Sequence, residues 1–227
     1  ITAAPGGDAR RDERAPSATR SGNGGVTKRG LFVHLHPTQR SPAYRRRMAS
    51  TRPPRTRLVV LASGSGSNLQ AILDACAADD LPADVVAVVT NIHDAHALQR
   101  AAAAGVAAVH LGRHPGESRN DYDARLADLV AGFAPDLVVL AGWMRLLTND
   151  FLGWFPDRVI NLHPARPGEL PGINAIERAW HQARAGERTT TGVMVHRVPD
   201  EGVDDGPVLA TADVPIRPDD TLETLER

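Results

Sequence analysis

One cysteine in 227 residues, Cys76, excludes an intramolecular disulfide and any metal site built on several thiolates. No stretch approaches the roughly 18 consecutive apolar residues that a membrane span requires. The N-terminal region lacks the continuous apolar segment of a secretory signal. These absences make a cytoplasmic protein the default expectation, with no membrane partner. The formal net charge of −1 hides an asymmetry. Residues 1–56 hold 12 Arg or Lys against 3 acids, whereas residues 57–227 hold 14 against 24. The larger part is therefore acidic, which argues against a nucleic-acid partner.

Residues 1–56 are rich in Arg, Ser, Pro, Gly and Thr, with little apolar periodicity. Such a composition buries too little surface to offset its ordering entropy, so a disordered basic segment is expected. The chain starts with Ile1, and Met48 lies about ten residues before the first apolar run. Residues 1–47 are accordingly expected to be upstream translated sequence, with Met48 the natural start. A basic nucleic-acid arm or a transit peptide is the other reading of the segment.

From Arg57 the pattern changes. Arg57–Ala62 is a short apolar run ending in a Gly/Ser loop, as in a buried parallel strand. Further strands are expected at Asp84–Thr90, Val106–Leu111, Asp136–Ala141 and Arg158–Leu162. Helices are expected at Asn68–Ala78, at Ala95–Ala104 closed by Gly105, at Asn120–Phe133 and at Ala175–Ala185. This alternation predicts an α/β fold: a Rossmann-like open, mostly parallel sheet with helices on both faces. Thr190–Val198 and Pro207–Ile216 read as strands that extend the sheet with antiparallel pairing, and Asp220–Arg227 as the start of a helix.

Ser63-Gly-Ser-Gly-Ser-Asn68 follows a strand and opens a helix. Glycines let the backbone approach an anion, and the helix N-terminus supplies unpaired N–H groups, so phosphate is the natural guest. A ligand-free tight turn would use the same glycines. No third Gly stands at the dinucleotide spacing, the second strand ends in Thr90-Asn91 without an acid, and no Lys follows the loop. A phosphorylated small molecule therefore fits better than NAD or ATP.

Open α/β sheets bind ligands beyond the carboxyl ends of their strands. Asn161 and His163 fall there, two apart and hence on one side of the strand. An amide and an imidazole so placed can donate to one developing oxyanion. The acidic turn Asp200–Pro207 offers carboxylates that could pair with His163 and raise its pKa. The remaining histidines, at 34, 36, 93, 96, 110, 114, 181 and 196, show no metal-ligand spacing, and no metal is expected.

Taken in order, Val59–Ile72, Ser118–Asp123, Pro135–Leu147, Ile160–Pro164 and Gly202–Pro207 resemble the phosphoribosylglycinamide formyltransferase family over residues 57–227. The resemblance implies a formyltransferase of purine synthesis. Its substrates would be glycinamide ribonucleotide and 10-formyltetrahydrofolate, the latter as formyl-donor co-substrate, and the protein would be a monomer or homodimer. It implies that Gly66, Ser67 and Asn68 hold the ribonucleotide phosphate. Arg119, Met144, Arg145, Leu146, Leu147 and Asn161 would line the folate site, with the main chain of 144–147 meeting the pterin and the 199–204 loop folding over it. Asn161, His163 and Asp204 would be catalytic, with Asp204 keeping His163 charged. Two departures stand out. Ala165–Gly172 differs from the commoner Ser-Leu-Leu-Pro-containing loop, and the family continues past residue 227 into a further helix, so the domain is expected to be C-terminally incomplete. The rivals are a formyltetrahydrofolate deformylase, a methionyl-tRNA formyltransferase, and an inactive truncated folate- or nucleotide-binding copy. The phosphate loop favours the ribonucleotide acceptor over the first two.

Overall fold

The computed structural model describes residues 54–226, so the expectations for residues 1–53, including Met48 as the start, lie outside the described residues. Five parallel strands are linked through helices: β1 (Thr56–Leu61), β2 (Ala83–Thr90), β3 (Ala107–His110), β4 (Leu137–Leu140) and β5 (Val159–His163). β6 (Thr190–Arg197) and β7 (Val208–Pro215) then add antiparallel. The sheet order is β3-β2-β1-β4-β5-β6-β7, the α/β arrangement expected. β1 opens one residue earlier than expected. Arg55 before it is also engaged, donating to the carbonyls of Cys76, Leu81 and Ala83 and pairing with Asp79 and Asp84. The expected disordered stretch therefore does not reach residue 56.

Both faces of the central strands are buried because alternate residues enter different cores. Val59 and Leu61 join one cluster with Tyr122, Leu126 and Phe151. Leu58, Val60 and Ala62 join another with Leu69, Leu73 and Ala97. The helices supplying these residues are α1 (Ser67–Ala77), α2 (His96–Ala103), α3 (Arg119–Ala131) and the short α4 (Asn149–Leu152). Local signals set their ends. Gly105 in the left-handed region closes α2, with Gly105 and Val106 N–H groups returning to Ala102 and Ala101. Ser118 caps α3 by accepting the Asp121 N–H. α5 (Ala175–Arg184) and α6 (Leu222–Leu225), the latter opened by a Thr221–Thr224 capping box, complete the described chain. Among the described residues, no helix is long and apolar enough to cross a membrane.

Strand order reverses between β1 and β4, which opens a crevice at their carboxyl ends. The loops that follow β1 and β4 meet at this end of the sheet, beside the end of β5 that carries Asn161 and His163 and the β6–β7 loop that carries Asp204.

Candidate active site

β5 places Asn161 and His163 on the same side of the strand, and Asp204 reaches both. Asn161 Nδ2 donates to Asp204 Oδ1 at 2.9 Å, and His163 Nδ1 lies 3.3 Å from Asp204 Oδ2. The Gly172 N–H donates to the same Oδ2 at 2.8 Å. Asp204 sits at φ 54, a left-handed conformation that an aspartate tolerates better than most residues. Two residues on, a side chain at Gly206 would overlap the Arg197 carbonyl, so the turn passes too close to β6 for any other residue.

A fourth member comes from β6. His196 pairs with Asn161 across the antiparallel ladder and is only 2% exposed. Its Nε2 lies 3.1 Å from Asn161 Nδ2 and 3.4 Å from Asp204 Oδ1, and its Nδ1 faces the Arg197 carbonyl at 2.8 Å. Sequence reasoning gave His196 no role. The available signal was its even spacing from Met194 on an inward-facing strand, which appears only once the β5–β6 register is known.

The charge distribution corrects one expectation. Burial draws the His163 pKa below the ordinary histidine value, outweighing the upward pull of Asp204 and of the Leu170 carbonyl. His163 is 4% exposed, and an imidazolium there would lose most of its hydration. His196 moves the other way: its hydrogen bond with Asp204 raises its pKa against the cost of burial. Burial alone would raise the Asp204 pKa, but bonds from His196 and Gly172, with the neighbouring histidine charges, bring it below the ordinary range. Asp204 favours the cation on both histidines, but burial outweighs it at His163 and not at His196.

His163 Nε2 faces the Leu170 carbonyl at 3.0 Å. The 165–174 loop that supplies this carbonyl is tied down by ion pairs and by Arg178. Arg166 pairs with Asp213 at 2.8 Å and Glu169 with Arg188 at 3.1 Å, while Arg178 donates to the carbonyls of Leu170 and Pro171.

The residues expected to bind phosphate sit at the start of α1. Gly66 is its N-cap at φ 70, and a Cβ there would lie 2.9 Å from that of Ala97. The helix has no side-chain cap and no acid in its first turn, so the N–H groups at Ser67 and Asn68 face outward beside two exposed side chains.

Across the crevice, Arg119 grips the 144–147 segment from α3, its guanidinium donating to the carbonyls of Leu146 and Leu147 at 3.1 and 3.2 Å. One turn on, buried Asp123 accepts the Thr148 N–H at 2.6 Å. Met144 and Leu146 are exposed, Arg145 lies with its guanidinium 4.7 Å from the Tyr122 ring centre, and the Leu147 side chain is in the core. Leu147 can therefore present only its main chain to a ligand. Glu201 ties the acidic turn to this segment by accepting the Asn149 N–H at 3.1 Å and lying 3.4 Å from Arg119.

Residues 56–227 match the formyl transferase family model. The chain is 40% identical to the phosphoribosylglycinamide formyltransferase of Dictyostelium discoideum, over 74% of this chain and 88% of that protein. It is 44% identical to the enzyme of the same name from Schizosaccharomyces pombe, over 74% and 87%. Among solved structures, glycinamide ribonucleotide transformylase 1 from Symbiobacterium toebii aligns with a TM-score of 0.70 at 41% identity, covering 76% of this chain and 79% of that one.

Proposed function

This chain belongs to the formyl transferase family, and on that premise we propose that it transfers the formyl group of 10-formyltetrahydrofolate to the amine of glycinamide ribonucleotide, a step of purine synthesis. The observation that carries the reading is the convergence of Asn161, His163 and Asp204 at the carboxyl end of β5. The free amides at the start of α1 suit the ribonucleotide phosphate. The exposed apolar Met144 and Leu146, beside main-chain groups held by Arg119, suit a flat ring with hydrogen-bonding edges. Cys76 is free and half-buried, which fits a reducing cytoplasm, the setting we propose.

The residues divide the chemistry as follows. The substrate amine adds to the formyl carbon, and the carbonyl oxygen takes up negative charge. In the resting site the two Asn161 amide hydrogens face Asp204 and His196. With His196 protonated, its Nε2–H turns to Asp204 and cannot accept from Asn161, so one Asn161 N–H is left for the oxyanion. Neutral His163, with its own hydrogen on Nδ1 toward Asp204, takes on Nε2 the proton that the amine releases, once the Leu170 carbonyl leaves that position. The growing oxyanion favours that uptake by raising the proton affinity of the ring. The bond from the formyl carbon to the folate nitrogen then breaks, and His163 returns the proton to that nitrogen. No metal is required by this scheme.

The test is turnover of 10-formyltetrahydrofolate with and without glycinamide ribonucleotide. Acceptor-dependent turnover is expected. Acceptor-independent release of formate would identify a deformylase instead, and no turnover would leave a binding protein.

A further inference from the structure

At the point where strand order reverses, one hydroxyl joins three loops. Ser63 Oγ accepts the Met144 N–H at 2.9 Å and donates to Asn91 Oδ1 at 2.7 Å. The Ser63 N–H also donates to the Gly142 carbonyl at 2.9 Å. Asn91 follows β2, Ser63 follows β1 and Met144 follows β4, so the chain of bonds crosses the carboxyl ends of three adjacent strands. Serines in turns usually bond to nearby backbone. This one reaches partners 28 and 81 residues away. A hydroxyl that donates and accepts at once polarises both bonds, which makes the chain stiffer than two separate contacts.

The two ends of this chain matter because of what they adjoin. Ser63 directly precedes the Gly64–Gly66 turn, and that turn is braced by the Ala97 N–H on the Gly64 carbonyl and by Arg100 on the Ser65 carbonyl. Met144 opens the 144–147 segment, whose far end is held by Arg119 and Asp123. Its near end is held by Ser63.

We propose that Ser63 is a positioning residue that couples the two substrate sites, so that occupation of the phosphate loop strengthens binding at the 144–147 segment and the reverse. The inference rests on the substrates proposed above. A phosphate at residues 66–68 adds to the bonds that brace the loop and, through the Ser63 hydroxyl, to those that hold the Met144 peptide. Binding coupling of this kind is reciprocal. It should be small, roughly three- to tenfold, because it passes through about one hydrogen bond between neutral groups.

Calorimetric titration of the full chain with glycinamide ribonucleotide, alone and with saturating tetrahydrofolate, reads the coupling without turnover. The wild type should bind the ribonucleotide roughly three- to tenfold more tightly when tetrahydrofolate is present. In Ser63→Ala that ratio should fall close to one, whatever the change in affinity for the ribonucleotide alone. Ser63→Thr, which keeps the hydroxyl, should retain the ratio. Asn91→Ala removes the far end of the chain and should reduce the ratio in the same direction, and it carries the test if Ser63→Ala fails to fold. An unchanged ratio in the folded variants, or a wild-type ratio of one in a protein that transfers formyl normally, overturns the coupling alone. A wild type that binds neither ligand overturns the functional reading and this inference with it.

Discussion

Asn161 and His196 occupy paired positions on β5 and β6, and their side chains meet at 3.1 Å with Asp204 within reach of both. Removing His196 would leave Asp204 without its cation and Asn161 without the neighbour it packs against. For His196→Ala we expect kcat to fall by about tenfold to a hundredfold, the usual range when a buried charged group loses its hydrogen-bond partner. The KM values should move little, because His196 touches neither proposed substrate. Steady-state kinetics checks this, and a variant that loses only substrate affinity would place His196 elsewhere in the mechanism.

The three convergent residues of the site should behave more severely. Asn161→Ala, His163→Ala and Asp204→Asn are each expected to reduce kcat by about a hundredfold or more, as for an oxyanion donor in other enzymes. Their circular dichroism spectra should match the wild type. Normal turnover by His163→Ala would end its assignment as the proton carrier.

The opposite pKa directions of the two histidines give a titration test. NMR should show His196 titrating above the usual value of 6.5 and His163 below it. Asp204 pulls both values upward, so Asp204→Asn should lower both. Because His163 must be neutral to accept a proton, kcat should fall as pH drops through its depressed pKa, and should not fall at pH 7. His163 titrating above His196 would reverse the division of charge described above.

The phosphate loop can be tested at Gly66. Its φ of 70 is unfavourable for a residue with a side chain, and a Cβ there would lie 2.9 Å from the Ala97 Cβ. The left-handed conformation costs about 1–2 kcal/mol and the overlap about as much again, so Gly66→Ala should raise the KM for glycinamide ribonucleotide by roughly tenfold. The KM for 10-formyltetrahydrofolate should change less. Equal effects on both would argue against phosphate binding at this loop.

Much of this arrangement could be read along the chain because it is local. Alternating apolar runs and amphipathic stretches marked five parallel strands and their helices, and the Gly-Ser loop announced a helix N-terminus before any contact was known. α4 escaped notice because its four residues are too few to show a helical period. His196 escaped notice for another reason. Its partner Asn161 lies 35 residues earlier, and only the antiparallel register of β5 and β6 brings the two together. The downward shift at His163 was not legible because an acid nearby is visible in a sequence, whereas the burial that outweighs it depends on loops 165–174 and 200–207 closing over the strand end.

The central claim is the destination of the formyl group. The most direct measurement supplies 10-formyltetrahydrofolate carrying an isotopic label in its formyl carbon, together with glycinamide ribonucleotide, and follows the label by mass spectrometry. The account predicts label bound as an amide on the ribonucleotide, with tetrahydrofolate released in equal amount. Label recovered as free formate while the ribonucleotide remains unmodified would contradict it.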